Sequence, residues 1–327
     1  MRKLRLTLAC WDYDRTRALM NGSVRPEGIE LLYLDPPVEE TFFRMMKFRE
    51  FDCSEMSLSS YAASLGQKNP PFIALPVFVS RFFRHSCIFV SGKSDIRRPE
   101  DLKGKRVGVP EYQMTAPVWI RGILSDEYGV KTTDVEHFSG GQEEPGRVDK
   151  LKIDLPERIR LKSIGSTKTL SRMLADGELD ALVTARTPST FPGQVRRLFP
   201  DFADKEKDYY RRTKIFPIMH TVVIRREIYD KNRWVAQSLF KAFMKAKNQA
   251  YAAYNQTAAL PIMLPWTVAH AEEARKEMGD DWWPYGLDAN RHVLDTFLRY
   301  HQEQGLSRKR LAPEDLFAPE TLESYKV

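Results

Sequence analysis

Residues 78–89, Phe-Val-Ser-Arg-Phe-Phe-Arg-His-Ser-Cys-Ile-Phe, decide how this chain is read. Aromatic and β-branched side chains dominate, so the stretch predicts a strand. Arg81, Arg84 and His85 interrupt it. Alternate residues of a strand share a face, which sets Arg81, Phe83, His85, Cys87 and Phe89 together and Arg84 opposite. A guanidinium that grips a carboxylate and an imidazole that carries a proton, both among aromatic rings, suit a small aromatic acid. The same residues also describe an edge strand with solvated charges, or an Arg81 paired with a structural carboxylate.

Outward from this stretch, strand and helix patterns alternate. Upstream lie strand patterns at 4–10, 28–34 and 51–56 and helix patterns at 15–20, 38–48 and 57–66. Residues 73–79 open the long strand, and a polar loop, Trp11-Asp12-Tyr13-Asp14, follows the first one. Downstream, a polar turn at 99–105 precedes a strand at 106–109 and a helix at 116–127. Strands at 161–163 and 181–184 flank a helix at 170–175 and lead into Ala185-Arg186-Thr187-Pro188. A strand at 215–224 carries His220, and helical patterns follow at 232–255, 269–278 and 290–304. Residues 139–158 are polar and broken by Gly and Pro; they read as a long excursion, functional or an oligomer contact, or else as a mobile insert. The β-α-β-α order predicts an α/β protein with ligands at the carboxyl ends of strands. Crossings near 90–104 and 213–225 predict two lobes, 1–103 with 213–327 and 104–212, enclosing a ligand cleft, with a helical C-terminal segment.

Composition narrows the function. At 327 residues the chain exceeds what one core usually holds. Its 51 basic and 44 acidic side chains give a net charge of +7, scattered in mixed-sign clusters such as 201–212. That describes a solvated surface, not a nucleic-acid face, while the excess favours anionic small ligands. Cys10, Cys53 and Cys87 lack metal spacing and sit in apolar stretches, as buried thiols of a reducing compartment do. No run of 18 apolar residues spans a membrane. The basic start and Leu8-Ala9-Cys10 faintly resemble a lipoprotein leader, but the apolar stretch is too short, so a cytoplasmic location is expected. Without GxGxxG, GxxxxGK[ST], HxH or HExxH, no nucleotide, metal or other cofactor is expected.

Several segments together are similar to the 4,5-dihydroxyphthalate decarboxylase family. They are 52–59 (Asp-Cys-Ser-Glu-Met-Ser-Leu-Ser), 76–85, Glu111-Tyr112-Gln113-Met114-Thr115-Ala116, Glu143-Glu144-Pro145-Gly146-Arg147, 177–182 and Asp281-Trp282-Trp283-Pro284-Tyr285-Gly286. They cover nearly the whole chain in order. The resemblance implies a type II periplasmic-binding-protein-like fold, two α/β lobes joined by two crossing strands. It also implies cofactor-independent decarboxylation of a hydroxylated aromatic acid, 4,5-dihydroxyphthalate or a near analogue, to a dihydroxybenzoate. The competing class is a non-catalytic solute-binding protein for a small aromatic carboxylate.

Such chemistry needs a proton donor for the ring carbon, an anchor for the other carboxylate and partners for the phenolic oxygens. Arg81 is the expected anchor and Arg84 its reserve. His85 is the first-choice acid, its ordinary pKa being about 6.5. His220 follows, on the returning strand. Asp12, Tyr13, Glu55 and Ser57 sit after strand ends to bind the diol, although Glu55 equally suits a helix cap. Tyr112, Gln113 and Thr115 precede a helix whose first amides can take an anion. Arg186 and Thr187 follow a strand, and Trp283 offers a stacking surface or C-terminal packing. The aromatic C-terminal segment and the excursion predict a homo-oligomer, most simply a dimer.

Overall fold

The computed structural model describes residues 3–322 except 148, 152 and 261. In chain order the strands are β1 (Leu4–Ala9), β2 (Ile29–Leu34), β3 (Cys53–Ser57), β4 (Phe72–Arg81), β5 (Ile88–Ser91), β6 (Arg106–Val109), β7 (Glu136–Ser139), β8 (Leu161–Ser163), β9 (Ala181–Val183), β10 (Val195–Arg197) and β11 (Ile218–Arg225). The helices are α1 (Arg17–Met20), α2 (Val38–Phe48), α3 (Leu58–Ser64), α4 (Thr115–Tyr128), α5 (Leu170–Asp176), α6 (Phe202–Thr213), α7 (Arg226–Lys231), α8 (Trp234–Tyr254), α9 (Thr267–Met278) and α10 (Arg291–Glu303). Among the described residues no helix is long and apolar enough to cross a membrane.

The chain forms two compact α/β units. The first comprises Met1–Arg81, Ile218–His292 and Ala312–Val327; the second Phe82–Pro217 and Val293–Leu311. The chain therefore passes between units at 81/82 and 217/218, and residues 293–311 pack with the second unit, where the sequence suggested changes near 103 and 213 and a C-terminal segment wholly in the first.

The first unit holds a five-stranded sheet in the order β2-β1-β3-β11-β4. β1 runs parallel to β2 and β3, and β11 antiparallel to β3 and β4. The second unit holds β10-β5-β9-β6-β7-β8. Strand alternation divides its core as period two requires. Ile88 and Val90 pack with Val107, Ile120 and Val183, while Phe89 packs with Leu170, Leu174 and Leu182. Helices α4 and α5 stop at Gly129 (φ 61°) and Gly177 (φ 80°), left-handed positions that favour glycine.

The expected strand over 78–89 is corrected. β4 begins at Phe72 and ends at Arg81, residues 82–84 carry no regular structure, and His85–Cys87 is a 3-10 turn. Local hydrogen bonds explain the break. The Cys87 amide donates to the Arg84 carbonyl (3.1 Å) and the Ser86 amide to the Glu206 carboxylate (3.1 Å), closing a turn in place of a ladder. The shared face of Arg81, Phe83 and His85 is thereby lost, and Arg81 belongs to the first unit while Arg84 and His85 belong to the second.

One irregularity in the first sheet shapes the site. Opposite β4, His220 pairs with Ser80 but Val222 pairs with Leu75. Two steps along β11 thus match five along β4, so residues 76–79 bulge out of the ladder. Proline at position 76 suits this, because an edge strand with a bulge needs no amide there. The freed carbonyls find other donors: Pro76 accepts from the Gly286 amide (2.8 Å), Phe78 from the Trp283 indole (2.7 Å) and Val79 from Arg15 Nε (2.7 Å).

Candidate functional site

Glu55 lies mid-strand in β3 and is completely buried. A carboxylate removed from water must be matched by donors. Four surround it. The Tyr13 hydroxyl donates to Oε1 at 2.6 Å, and His220 Nδ1 reaches the same oxygen at 2.6 Å. Oε2 accepts from the Trp11 amide (3.1 Å) and the Cys10 thiol (3.7 Å). Burial alone would raise the Glu55 pKa. The hydrogen bond and charge of His220, with the Tyr13 hydroxyl and the Trp11 amide, outweigh it and hold the carboxyl below its ordinary value. Burial and the Glu55 charge push the Tyr13 phenol and the Cys10 thiol far up, so both stay protonated.

An ionised Glu55 only accepts, so His220 Nδ1 carries the hydrogen of this contact. Nε2 then remains for proton exchange, and among the described residues it makes no hydrogen bond. The ring meets Phe42 edge-on at 4.8 Å and is partly exposed, at 18 % of its side chain. His220 stands at the register shift of β11, across from Ser57 on β3. A bulge commonly re-aims a side chain in this way.

Tyr13 extends the arrangement. Its ring lies 4.1 Å from the Arg15 guanidinium, whose other neighbour is the Trp283 ring at 4.2 Å. Arg15 Nη1 bonds Asp14 (2.9 Å), and Asp14 also accepts from the Tyr254 hydroxyl (2.7 Å). The residues His220, Glu55, Tyr13, Arg15 and Trp283 thus form one contiguous series within the first unit. Sequence reasoning missed Arg15 by taking it as the first residue of a helix. Its place in the loop after β1, at a carboxyl strand end, was the available signal.

The other candidates fall elsewhere. Arg81 is buried, and Nη2 donates to the Pro284 carbonyl (2.8 Å) and to the Asn290 side chain. It braces the segment that carries Trp283. Asp12 pairs with Arg17 (3.0 Å) at the surface, and the Ser57 hydroxyl caps α3 by accepting from the Ser60 amide. Trp283 joins the series above by stacking on the Arg15 guanidinium.

In the second unit His85 is buried between Phe199 (5.4 Å) and Tyr209 (5.3 Å), and its Nδ1 has no hydrogen-bond partner. Its pKa is pushed down to about 4, mainly by burial, with the Arg212 and Lys205 charges adding. That environment suits a neutral packed ring. Arg84 lies over the Phe82 ring (4.6 Å) with Nη1 near the Cys87 sulfur (3.5 Å). Tyr112 is buried and donates to the Gln304 carbonyl (3.1 Å). Gln113 donates to Glu111 (3.0 Å), and Thr115 is buried at the start of α4. Glu111 also receives Lys150 (2.6 Å) and Arg147 (2.6 Å), which pins part of the 139–158 excursion. Arg186 and Thr187 are exposed.

Among the described residues no cluster of three or more His, Cys, Asp or Glu side chains is placed to hold a metal. A wide depression of about 1020 Å³, lined by Lys3, Arg5, Arg25 and Trp234, contains none of the series.

No family model matches the chain. A 4,5-dihydroxyphthalate decarboxylase from Comamonas testosteroni is 42 % identical over 330 residues, covering all of both chains. One from Pseudomonas putida is 42 % identical over 214 residues, 64 % of this chain and 83 % of that one. Among solved structures, the alkanesulfonate-binding protein of Xanthomonas axonopodis pv. citri bound to MOPS matches with a TM-score of 0.52 at 14 % identity, covering 97 % of this chain and 98 % of that one. A putative periplasmic sulfonate-binding protein of Methylobacillus flagellatus KT gives 0.51 at 14 % identity, covering 98 % and 93 %. At that identity the two structures show the fold alone, which is that of periplasmic binding proteins. Identity of 42 % along the entire length is a different order of likeness, and by it the chain belongs to the 4,5-dihydroxyphthalate decarboxylase family.

Proposed function

We propose that this protein removes one carboxylate of 4,5-dihydroxyphthalate as carbon dioxide and leaves 3,4-dihydroxybenzoate, with His220 as the proton donor. The relatives' name supplies the substrate. The observation that carries the chemistry is the 2.6 Å contact between buried Glu55 and partly exposed His220, with Nε2 uncommitted among the described residues.

Each carboxylate of the substrate stands para to a hydroxyl. Electron density from that hydroxyl, as it loses its proton, flows into the ring and onto the carbon bearing the departing carboxylate. His220 Nε2 delivers a proton to this carbon, and a C–H bond forms. The C–CO₂ bond then breaks, its electron pair returns to the ring, the hydroxyl regains its proton from solvent, and solvent reprotonates His220 Nε2, so one proton is consumed per carbon dioxide released. The ring is its own electron sink, so the route uses no cofactor. Glu55 fixes the orientation of the imidazole through Nδ1, a positioning role of the kind carboxylates commonly serve beside histidine. Tyr13, kept protonated, holds Glu55 and offers its oxygen to a substrate hydroxyl. Arg15, stiffened between two rings, is the cation for the retained carboxylate, through the Nη2 that Val79 and Asp14 leave uncommitted among the described residues.

We infer further that the protein works in the cytoplasm and as a homodimer. The three cysteines are buried free thiols, which suits a reducing compartment. Leu260, Met263, Leu264 and Trp266 are all at least 42 % exposed in one short stretch, an apolar surface of the kind a second copy covers.

Purified protein with no added cofactor tests the activity. Carbon dioxide is expected from 4,5-dihydroxyphthalate, and in deuterium oxide the product carries deuterium at the ring carbon that lost its carboxylate. Tight binding of aromatic acids without turnover supports a solute-binding protein instead.

A further inference from the structure

A chamber of about 310 Å³ lies beside the Arg15–Trp283 stack, walled by α8, α9 and the segment around Trp282. Its volume is at the lower end of small-molecule sites, roughly 300–1,000 Å³, so it fits a single ring rather than a large ligand. Tyr251, Tyr254, Ile262, Leu264, Trp282 and Trp283 line it. Such walls suit a planar apolar body.

The charges at the chamber select the polar end of its ligand. Lys247 lines it but is already matched, bonding both oxygens of Asp281 (2.7 and 2.9 Å). Arg15 also lines it. Its Nε is bound by Val79 and its Nη1 by Asp14, while Nη2 has no partner among the described residues. A guanidinium with one nitrogen uncommitted therefore lines a cavity with aromatic walls. Asp14, on the same wall, repels a second negative charge.

We propose that the chamber is a binding site for an aromatic monocarboxylate, the carboxylate on Arg15 Nη2 and the ring against Trp282 and Tyr251. The natural ligand rests on the decarboxylase reading, whose product has one carboxylate where its substrate has two. The site itself is independent of turnover.

Benzoate and 3,4-dihydroxybenzoate, titrated separately into the full chain by calorimetry, test this. Ala250 and Ala274 line the chamber, and neither belongs to the Glu55–His220 series. Ala250→Phe and Ala274→Phe fill the space from opposite helices. Each is expected to weaken benzoate binding by roughly tenfold or more, a difference of about 1.4 kcal/mol. Because Arg15 also serves the substrate's retained carboxylate, benzoate is expected to compete with 4,5-dihydroxyphthalate, the filled variants to keep kcat within about twofold, and phthalate to bind the chamber more weakly than benzoate. Benzoate quenching of tryptophan fluorescence, reduced in Trp282→Phe, gives a readout that does not need either filled variant to fold. Benzoate affinity unchanged in folded filled variants, or quenching unchanged in Trp282→Phe, overturns the proposal. Turnover without variant-sensitive benzoate binding sinks the chamber alone, whereas variant-sensitive binding without turnover sinks the decarboxylase reading alone.

Discussion

At the scale of single residues, two polar side chains of the 78–89 stretch have structural work. Arg81 donates to the Pro284 carbonyl and the Asn290 side chain; a substitution leaves Asn290 Oδ1 without this donor, while the Pro284 carbonyl keeps Asn290 Nδ2 (3.0 Å). Arg81→Ala is therefore expected to lose roughly 1.5–3 kcal/mol of stability, measured by urea denaturation, with affinity falling only as the Trp283 segment loosens. His85 makes a pH prediction. Its folded pKa is depressed from 6.5 to about 4, so its favourable share is fully present above pH 6.5. As pH falls through that window toward 4, the unfolded chain binds a proton that the folded chain refuses, and stability declines. The loss between pH 7 and pH 4.5 is about 2–3 kcal/mol from this residue. His137, held down to about 3 by burial, acts in the same direction. Urea midpoints at the two pH values are expected to differ less in His85→Phe than in the parent. An equal difference in both proteins contradicts the buried neutral ring.

At the scale of elements, the bulge of β4 organises the site. It releases three carbonyls, and the donors that answer them belong to Arg15, Trp283 and Gly286. Trp283→Phe removes one of these donors and weakens the stack on Arg15. About 0.5–2 kcal/mol of substrate binding is expected to go, seen as a raised KM with kcat held. A fall in kcat alone would place Trp283 at the chemistry itself. Strand 106–109 and helix 38–48 were readable from pattern, because recurring apolar residues mark each. α6 was not: only Tyr209 is buried along it, so its charges read as a solvated surface. β10 is three residues, two of them arginine, and gives no strand signal. The 78–89 stretch was misread because its alternation is real but its amides bond to a local carbonyl and to Glu206. The Glu55–His220 pair joins residues 165 positions apart, beyond the reach of any spacing argument. Sequence named both residues but could not join them.

At the scale of the whole molecule, two α/β units and full-length likeness to the decarboxylase family frame the account. The exposed stretch near Met263 predicts self-association. Light scattering is expected to give twice 37.9 kDa, and Met263→Asp with Trp266→Asp to give the single chain. A species of 37.9 kDa at every concentration contradicts the dimer. The central claim, however, concerns where the proton comes from. The most direct measurement is the rate of carbon dioxide release by His220→Gln and His85→Gln, each purified and shown to be folded, on 4,5-dihydroxyphthalate. The account predicts that His220→Gln loses about 10²–10⁴-fold while still binding substrate, and that His85→Gln keeps most of its rate. The reverse order, or full activity in His220→Gln, contradicts it.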